Sequence, residues 1–126
     1  MKLLLDTHVF LWWCADDERL LAAEREAISG GANEVFLSAA SVWEMAIKQA
    51  LGRLRVPEPA SAAAPRMGIA PLPVSFAHAE ATASLPPLHR DPFDRLLVAQ
   101  ARLEGLTLVT RDPLIRAYPG VAFLPD

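Results

Sequence analysis

The sequence predicts an α/β fold, a mostly parallel sheet with helices on both faces, and three observations lead there. Short apolar runs of strand length recur at Leu3–Leu5, Val35–Leu37 and Thr107–Val109, without the alternation of a strand that is half in water. Segments with helical spacing or helix-capping residues follow them. Acidic residues then stand where one element passes into the next: Asp6, Glu44, Asp94 and Asp112. Ligands in such sheets bind outside the carboxyl ends of the strands, so these acids are placed to meet.

The first strand is read from Lys2 to Asp6, and the apolar stretch Val9–Cys14 as the helix after it. Asp16 and Asp17 are N-cap candidates for a helix from Glu18 to Ser29, with Leu20, Leu21, Ala27 and Ile28 on its inner face and Gly30-Gly31 as its stop. Glu34–Ser38 is a second strand. A helix follows from Ser41 to Leu51, in which Val42, Ala46 and Ala50 recur at helical spacing before Gly52.

All 11 prolines lie beyond Val56, so the second half must use shorter helices and sharper connections. Glu58–Met67 reads as an Ala-rich helix interrupted near Pro65, and Ala70–Val74 as an edge strand because of Pro71 and Pro73. Ser75 caps a helix through Ser84. After Pro86-Pro87, Asp91 is a cap, Pro92 the first helical residue and Gly105 the terminator of the strongest helix. Thr107–Thr110 is a fourth strand, Asp112-Pro113 opens a short helix, and Val121–Leu124 is a fifth strand.

The 126 residues fit a single domain, 1–126, that buries a core without disulfides. With 52% hydrophobic residues and 21% charged, the chain is a globule and not a disordered segment. Cys14, the one cysteine, allows no intrachain disulfide and no Cys-rich zinc site, and reads as a small buried hydrophobe in a reducing compartment. No signal peptide or membrane span is legible, since Leu3–Leu5 runs straight into Asp6; a cytoplasmic protein is expected. A net charge of −3 draws no nucleic acid by itself, so such binding would need a local basic rim or metal in the acidic pocket.

Each acid also has a purely local explanation. Ser41-x-x-Glu44 matches a capping box, Asp94 near the third helical position suits the helix dipole, and Asp112 before Pro113 is an ordinary N-cap. Asp6 resists that treatment: an acid ending an apolar strand is half buried, and it needs a cation or several N–H donors. If the four converge they repel one another unless divalent cations neutralise them, which points to metal and phosphate chemistry.

Four blocks in order, LLLDTHVFLWW, LSAASVWEMAIKQALGRL, HRDPFDRLLVAQA and LVTRD, resemble the signature blocks of the PIN domain and, more narrowly, toxins of the VapC type. The resemblance implies a PIN-like three-layer fold with a five-stranded parallel sheet ordered 3-2-1-4-5. It implies a metal-dependent endoribonuclease, the toxin of a type II (VapBC-type) toxin–antitoxin pair. Asp6 and Asp94 would hold Mg²⁺ or Mn²⁺ most directly, Glu44 and Asp112 partly through water, with Thr110 beside the site. A water activated by the ion would attack an RNA phosphorus in line with the departing 3′ oxygen. Implied partners are the RNA substrate, a cognate antitoxin whose C-terminal segment wraps a hydrophobic groove, and a second copy in a homodimer. Phe10, Trp12, Trp13 and Trp43 are candidates for that groove, with core packing as their default.

Around the site, Thr7 reads as a turn residue, and His8 and His89 as structural or exposed histidines with no catalytic place. Arg90, Arg95 and Arg111 flank the acids, either as contacts for RNA phosphates or antitoxin carboxylates or as a solvated salt-bridge rim. A haloacid-dehalogenase-type phosphatase needs a second acid two residues after the first, where this chain has His8. A phospho-receiver needs paired acids and a late lysine, whereas the only lysines are Lys2 and Lys48. A non-catalytic PIN fold kept as an antitoxin-binding or regulatory module is the alternative from outside enzymology, and the presence of all four acids argues against it.

Overall fold

The computed structural model of the chain describes residues 1–126. Five parallel strands, β1 (Lys2–Leu5), β2 (Glu34–Ser38), β3 (Ala70–Leu72), β4 (Thr107–Val109) and β5 (Ala122–Leu124), form one sheet in the order β3-β2-β1-β4-β5. This is the expected 3-2-1-4-5 arrangement. Seven helices connect them: α1 (Thr7–Ala15), α2 (Ala22–Ser29), α3 (Ala39–Ala50), α4 (Ala60–Arg66), α5 (Phe76–Ala81), α6 (Pro92–Glu104) and α7 (Pro113–Arg116).

Alternation along the strands sorts side chains into two cores, making three layers. Leu3, Leu5, Val35, Leu37 and Val109 face one side and pack with Val9 and Phe10 of α1, Ile28 of α2, Met45 of α3 and Ala63 and Ala64 of α4. Leu4 and Leu108 face the other, against Leu97, Val98 and Ala101 of α6 and Ile115 of α7. Register agrees with this sorting, since Leu4 pairs with Leu108 and Leu5 with Val109. Leu3, Leu4 and Leu5 are all fully buried, which is why β1 reads as an unbroken apolar run. From β1 the chain winds outward through β2 and β3, then returns to place β4 on the opposite side. The topological switch point therefore lies at the carboxyl ends of β1 and β4.

Several boundaries differ from those expected. Asp16, at φ 50°, closes α1 in the left-handed region, and Asp17 makes a turn with Arg19, so neither caps α2. That helix starts at Ala22, where Glu24 reaches back to accept the Leu21 N–H at 2.8 Å, and Leu21 itself is exposed. Ser38 caps α3 in place of Ser41, so Ser41-x-x-Glu44 is no capping box. The inner face of α3 carries Ala40, Ser41, Glu44 and Met45, while Val42, Ala46 and Ala50 are exposed. The helical spacing of Val42, Ala46 and Ala50 thus lies on the outward face, because the inward face turns Ser41 and Glu44 toward the site.

Pro65 sits inside the last turn of α4 without interrupting it, β3 ends at Leu72, and α5 gives way to a 3₁₀ turn over Thr82–Ser84. Asp91, Pro92 and Gly105 bound α6 as expected, the glycine at φ 65°. Cys14 is half-buried, with its sulfur 4.0 Å from that of Met67. No helix is long and apolar enough to cross a membrane.

Candidate active site

Asp6 follows β1 and caps α1. Its Oδ1 accepts the Val9 N–H at 2.8 Å and its Oδ2 accepts the Thr110 hydroxyl at 2.5 Å. Only 4% of Asp6 is exposed, and burial pushes its carboxyl above the usual range. The Thr110 hydroxyl and the Val9 N–H oppose that rise, while the nearby Asp112 adds to it. Thr110, fully buried, follows β4 and faces Asp6 because Leu5 and Val109 are in register. Its single hydroxyl proton goes to Asp6, and its oxygen accepts the Asp112 N–H at 3.1 Å. One threonine thus fixes the positions of two acids.

Asp112 caps α7 through Oδ1, which accepts the Leu114 N–H at 2.9 Å, and lines a cavity of about 310 Å³ with Asp6, His8, Trp12 and Arg111. Glu44 enters from α3. Its Oε1 lies 2.7 Å from the Thr7 hydroxyl and its Oε2 3.0 Å from Lys48 Nζ. Thr7 also lies 2.9 Å from Ser41 Oγ; having one proton to give, it donates to the carboxylate and accepts from Ser41. Thr7 is therefore a buried link between the start of α1 and Glu44, more than the turn residue expected.

Asp94 lies one turn into α6. Asp91 satisfies the Phe93 and Asp94 N–H groups at 2.8 and 3.0 Å, so the Asp94 side chain is released from capping. Its pKa is pushed up to about 6, first by burial and then by the charge of Asp91; Glu44 pushes the same way, and the bond from His89 opposes them. His89 Nε2 stands 2.8 Å from Asp94 Oδ2 and 4.0 Å from Asp112 Oδ2.

The histidine's tautomer follows from its neighbours. His89 Nδ1 accepts the Arg90 N–H at 3.0 Å, so Nε2 carries the proton and donates to Asp94. The ligand atoms of His89, Asp94 and Asp112 lie within 4.8 Å of one another, yet in this tautomer His89 is a donor and offers no lone pair to a metal. Sequence reasoning gave His89 no place. Its only signal was its position in the same block as Asp94.

The five expected residues form a continuous array. Glu44 lies within electrostatic reach of Asp94, Asp94 and Asp112 flank His89, and Thr110 joins Asp112 to Asp6. Of the flanking arginines, Arg95 is a structural post: it donates to the carbonyls of Thr82, Leu85, Pro86 and His89 and to the Tyr118 hydroxyl. Arg90 is exposed without an ion pair, and Arg111 lines the acidic cavity.

A second, larger groove of about 640 Å³ adjoins the acidic cavity, sharing His8 and Trp12 with it. Phe10, Leu11, Val42, Met45 and Met67 supply apolar lining. Trp13 packs on the core, and Trp43, 63% exposed, stacks edge-on with Phe93 at 5.2 Å, so neither lines the groove.

A model of the PIN domain matches residues 3–121. Ribonuclease VapC22 of Mycobacterium tuberculosis is 31% identical over 118 residues, covering 91% of this chain and 90% of that protein. The fold is similar to a crystal structure of VapBC2 from Rickettsia felis bound to a DNA fragment from its promoter, with TM-score 0.72, 14% identity and 98% and 97% of the two chains covered. It is similar also to DNA-bound VapBC from Salmonella typhimurium, with TM-score 0.68, 17% identity and 98% and 96% covered. Strand order, the acids at the switch point and these likenesses agree, and the chain belongs to the PIN-domain family, among its VapC-type members.

Proposed function

We propose that this chain is a Mg²⁺- or Mn²⁺-dependent endoribonuclease, the toxin of a type II, VapBC-type toxin–antitoxin pair acting in the cytoplasm. One observation carries the reading: acids from four separate elements converge at the switch point with little positive charge to offset them. Lys48 on Glu44 is the one cation paired with a member of the quartet, and Arg111 pairs elsewhere. Burying several carboxylates so poorly compensated is costly unless a cation arrives.

The donor set fits that cation. Asp6, Asp94, Asp112 and Glu44 offer hard oxygens, which suit magnesium or manganese, and no thiolate lies among them. Asp6 and Asp94 would hold the ion most directly, with Asp112 and Glu44 partly through water. When bound, the ion acidifies a water and stabilises charge developing on the phosphate. Thr110 holds Asp6 in its ligating orientation, Thr7 and Lys48 hold Glu44, and His89 keeps the Asp94 carboxylate turned toward Asp112. In the reaction, water forms the new P–O bond while the 3′ oxygen leaves and takes up a proton.

The relative's name, a ribonuclease, and the solved toxin–antitoxin complexes support the substrate class and the partner. The apolar groove beside the acidic cavity supports an antitoxin segment that lies along Phe10, Leu11 and Met67 and reaches the acids past His8 and Trp12. Trp43 and Ile47 on one exposed face of α3, with Leu51 at its C-cap, supply apolar surface for a homodimer. Purified chain should cleave single-stranded RNA in Mg²⁺ and stop in chelator, and Asp6→Asn should abolish cleavage with an unchanged circular dichroism spectrum. Cleavage that persists undiminished in that variant would refute the assignment.

A further inference from the structure

We infer that Arg111 grips a phosphate of the RNA strand beside the bond to be cut, and that buried Glu24 and the Trp12 ring hold it ready to do so. This rests on the ribonuclease reading and adds a substrate-contacting residue with its support. Arg111 lies between Thr110 and Asp112, and its side chain, 30% exposed, lines the same cavity as Asp6 and Asp112. A guanidinium in such a place would ordinarily neutralise the nearest carboxylates. Arg111 pairs with neither.

Its ion-pair partner is Glu24 of α2, with Arg111 Nε 3.8 Å from Oε2. Glu24 is 1% exposed; Oε1 is taken by the Leu21 N–H, and Oε2 has no hydrogen bond. Arg111 Nε is likewise buried and unbonded. At that separation the attraction is Coulombic, between atoms shielded from water, where it acts most strongly. From the side, the Trp12 ring lies 4.6 Å from the guanidinium carbon, a cation–π contact.

This support uses the Nε edge and one face of the guanidinium. The two terminal nitrogens bond to no protein acceptor and remain in contact with solvent. They form a free fork, suited to two phosphate oxygens. A phosphate is favoured over a partner's carboxylate because the fork shares its cavity with Asp6 and Asp112, where the cleaved phosphate must come. Glu24 has a second effect. By drawing the guanidinium to itself it keeps Arg111 from closing onto those acids, which leaves them free for the metal.

The test is binding of a fluorescently labelled single-stranded RNA oligonucleotide in Mg²⁺, followed by anisotropy across a salt series on an Asp94→Asn background that suppresses cleavage. Adding Arg111→Ala should weaken binding about 10- to 100-fold, as expected for a lost charge-assisted bond, and lower the slope of log Kd against log salt by about 0.7, one phosphate contact on a single strand. Arg111→Lys should keep the slope and recover only part of the affinity. Glu24→Gln should weaken binding alone and have no effect once Arg111 is Ala, a dependence that a merely structural glutamate would not show. If Glu24→Gln fails to fold, Trp12→Leu takes its place in the same cycle.

An unchanged slope and affinity in Arg111→Ala overturns the inference. So does unchanged RNA binding combined with lost affinity for an Asp/Glu-rich peptide, which would give the fork to a protein partner. Cleavage by the unsubstituted chain is scored separately. If it is absent while Arg111→Ala still lowers the slope, the nuclease reading fails and the phosphate grip stands.

Discussion

Replacing Asp94 with Asn should change how stability depends on pH, in a direction the site geometry dictates. Burial, Asp91 and Glu44 raise the folded-state pKa of Asp94 from 3.8 to about 6, against the opposing bond from His89. The folded protein therefore holds this proton more tightly than the unfolded chain does. Between those two values the native state binds more protons through this group, so the Asp94 contribution to stability is fully present below pH 4 and is lost as pH rises through 6. At about 1.4 kcal/mol for each tenfold change in proton affinity, the decline amounts to about 3 kcal/mol. That is an upper figure, since 17% of the side chain meets solvent.

Asn keeps an acceptor for His89 but does not titrate. Urea unfolding in chelator from pH 4 to 7 should show the parent losing up to about 3 kcal/mol relative to Asp94→Asn. Saturating Mg²⁺ or Mn²⁺ should remove most of that relative loss, because the ion stabilises the same ionised carboxylate that burial penalises. Parallel pH profiles for parent and variant would refute the reasoning, for the strain attributed to Asp94 would not exist.

Two further substitutions separate support of the site from support of the fold. Thr110→Val removes the proton donated to Asp6 Oδ2 and the acceptor of the Asp112 N–H, and should cost about 1–3 kcal/mol by chemical denaturation. The Thr110 hydroxyl holds the Asp6 pKa down, so its loss should move the acid limb of the pH–cleavage profile upward, and an unmoved limb counts against this role. Leu97→Ala, at a fully buried position of α6 behind the sheet, should cost about 2–5 kcal/mol while leaving the metal concentration for half-maximal cleavage unchanged.

Most of the architecture was legible because parallel strands buried on both faces leave unbroken apolar runs, and because Asp91-Pro92 and Gly105 bracket α6 with strong local signals. What escaped the sequence depends on partners far along the chain. Glu24 looks like any acid within a helix read from Glu18 to Ser29, and nothing near it indicates that its carboxylate is buried behind Arg111. The helical spacing of Val42, Ala46 and Ala50 does not mark the inner face of α3, because Ser41 and Glu44 point inward to meet Thr7. His89 was passed over because a lone histidine in a loop carries no signal until its neighbours fix its tautomer.

The acids themselves show that capping and ligation need not be alternatives. A carboxylate has two oxygens, and an N-cap occupies only one. Asp6 gives Oδ1 to the Val9 N–H and turns Oδ2 to Thr110; Asp112 gives Oδ1 to the Leu114 N–H and turns Oδ2 toward His89. In both residues the cap fixes the side-chain torsions, so the second oxygen is held at the site, that of Asp6 on the Thr110 hydroxyl and that of Asp112 4.0 Å from His89 Nε2. That lowers the ordering cost of ligation. Asp94 reaches the same end by a division of labour, because Asp91 takes over the capping and leaves Asp94 free of the helix N-terminus, with Oδ2 accepting from His89. The cap expected of Asp112 is thus present, and Asp6 caps α1 although no cap was expected of it, yet neither cap is an argument against the cluster. In the proposed metal site, the cap is the means by which the fold aims the ligand.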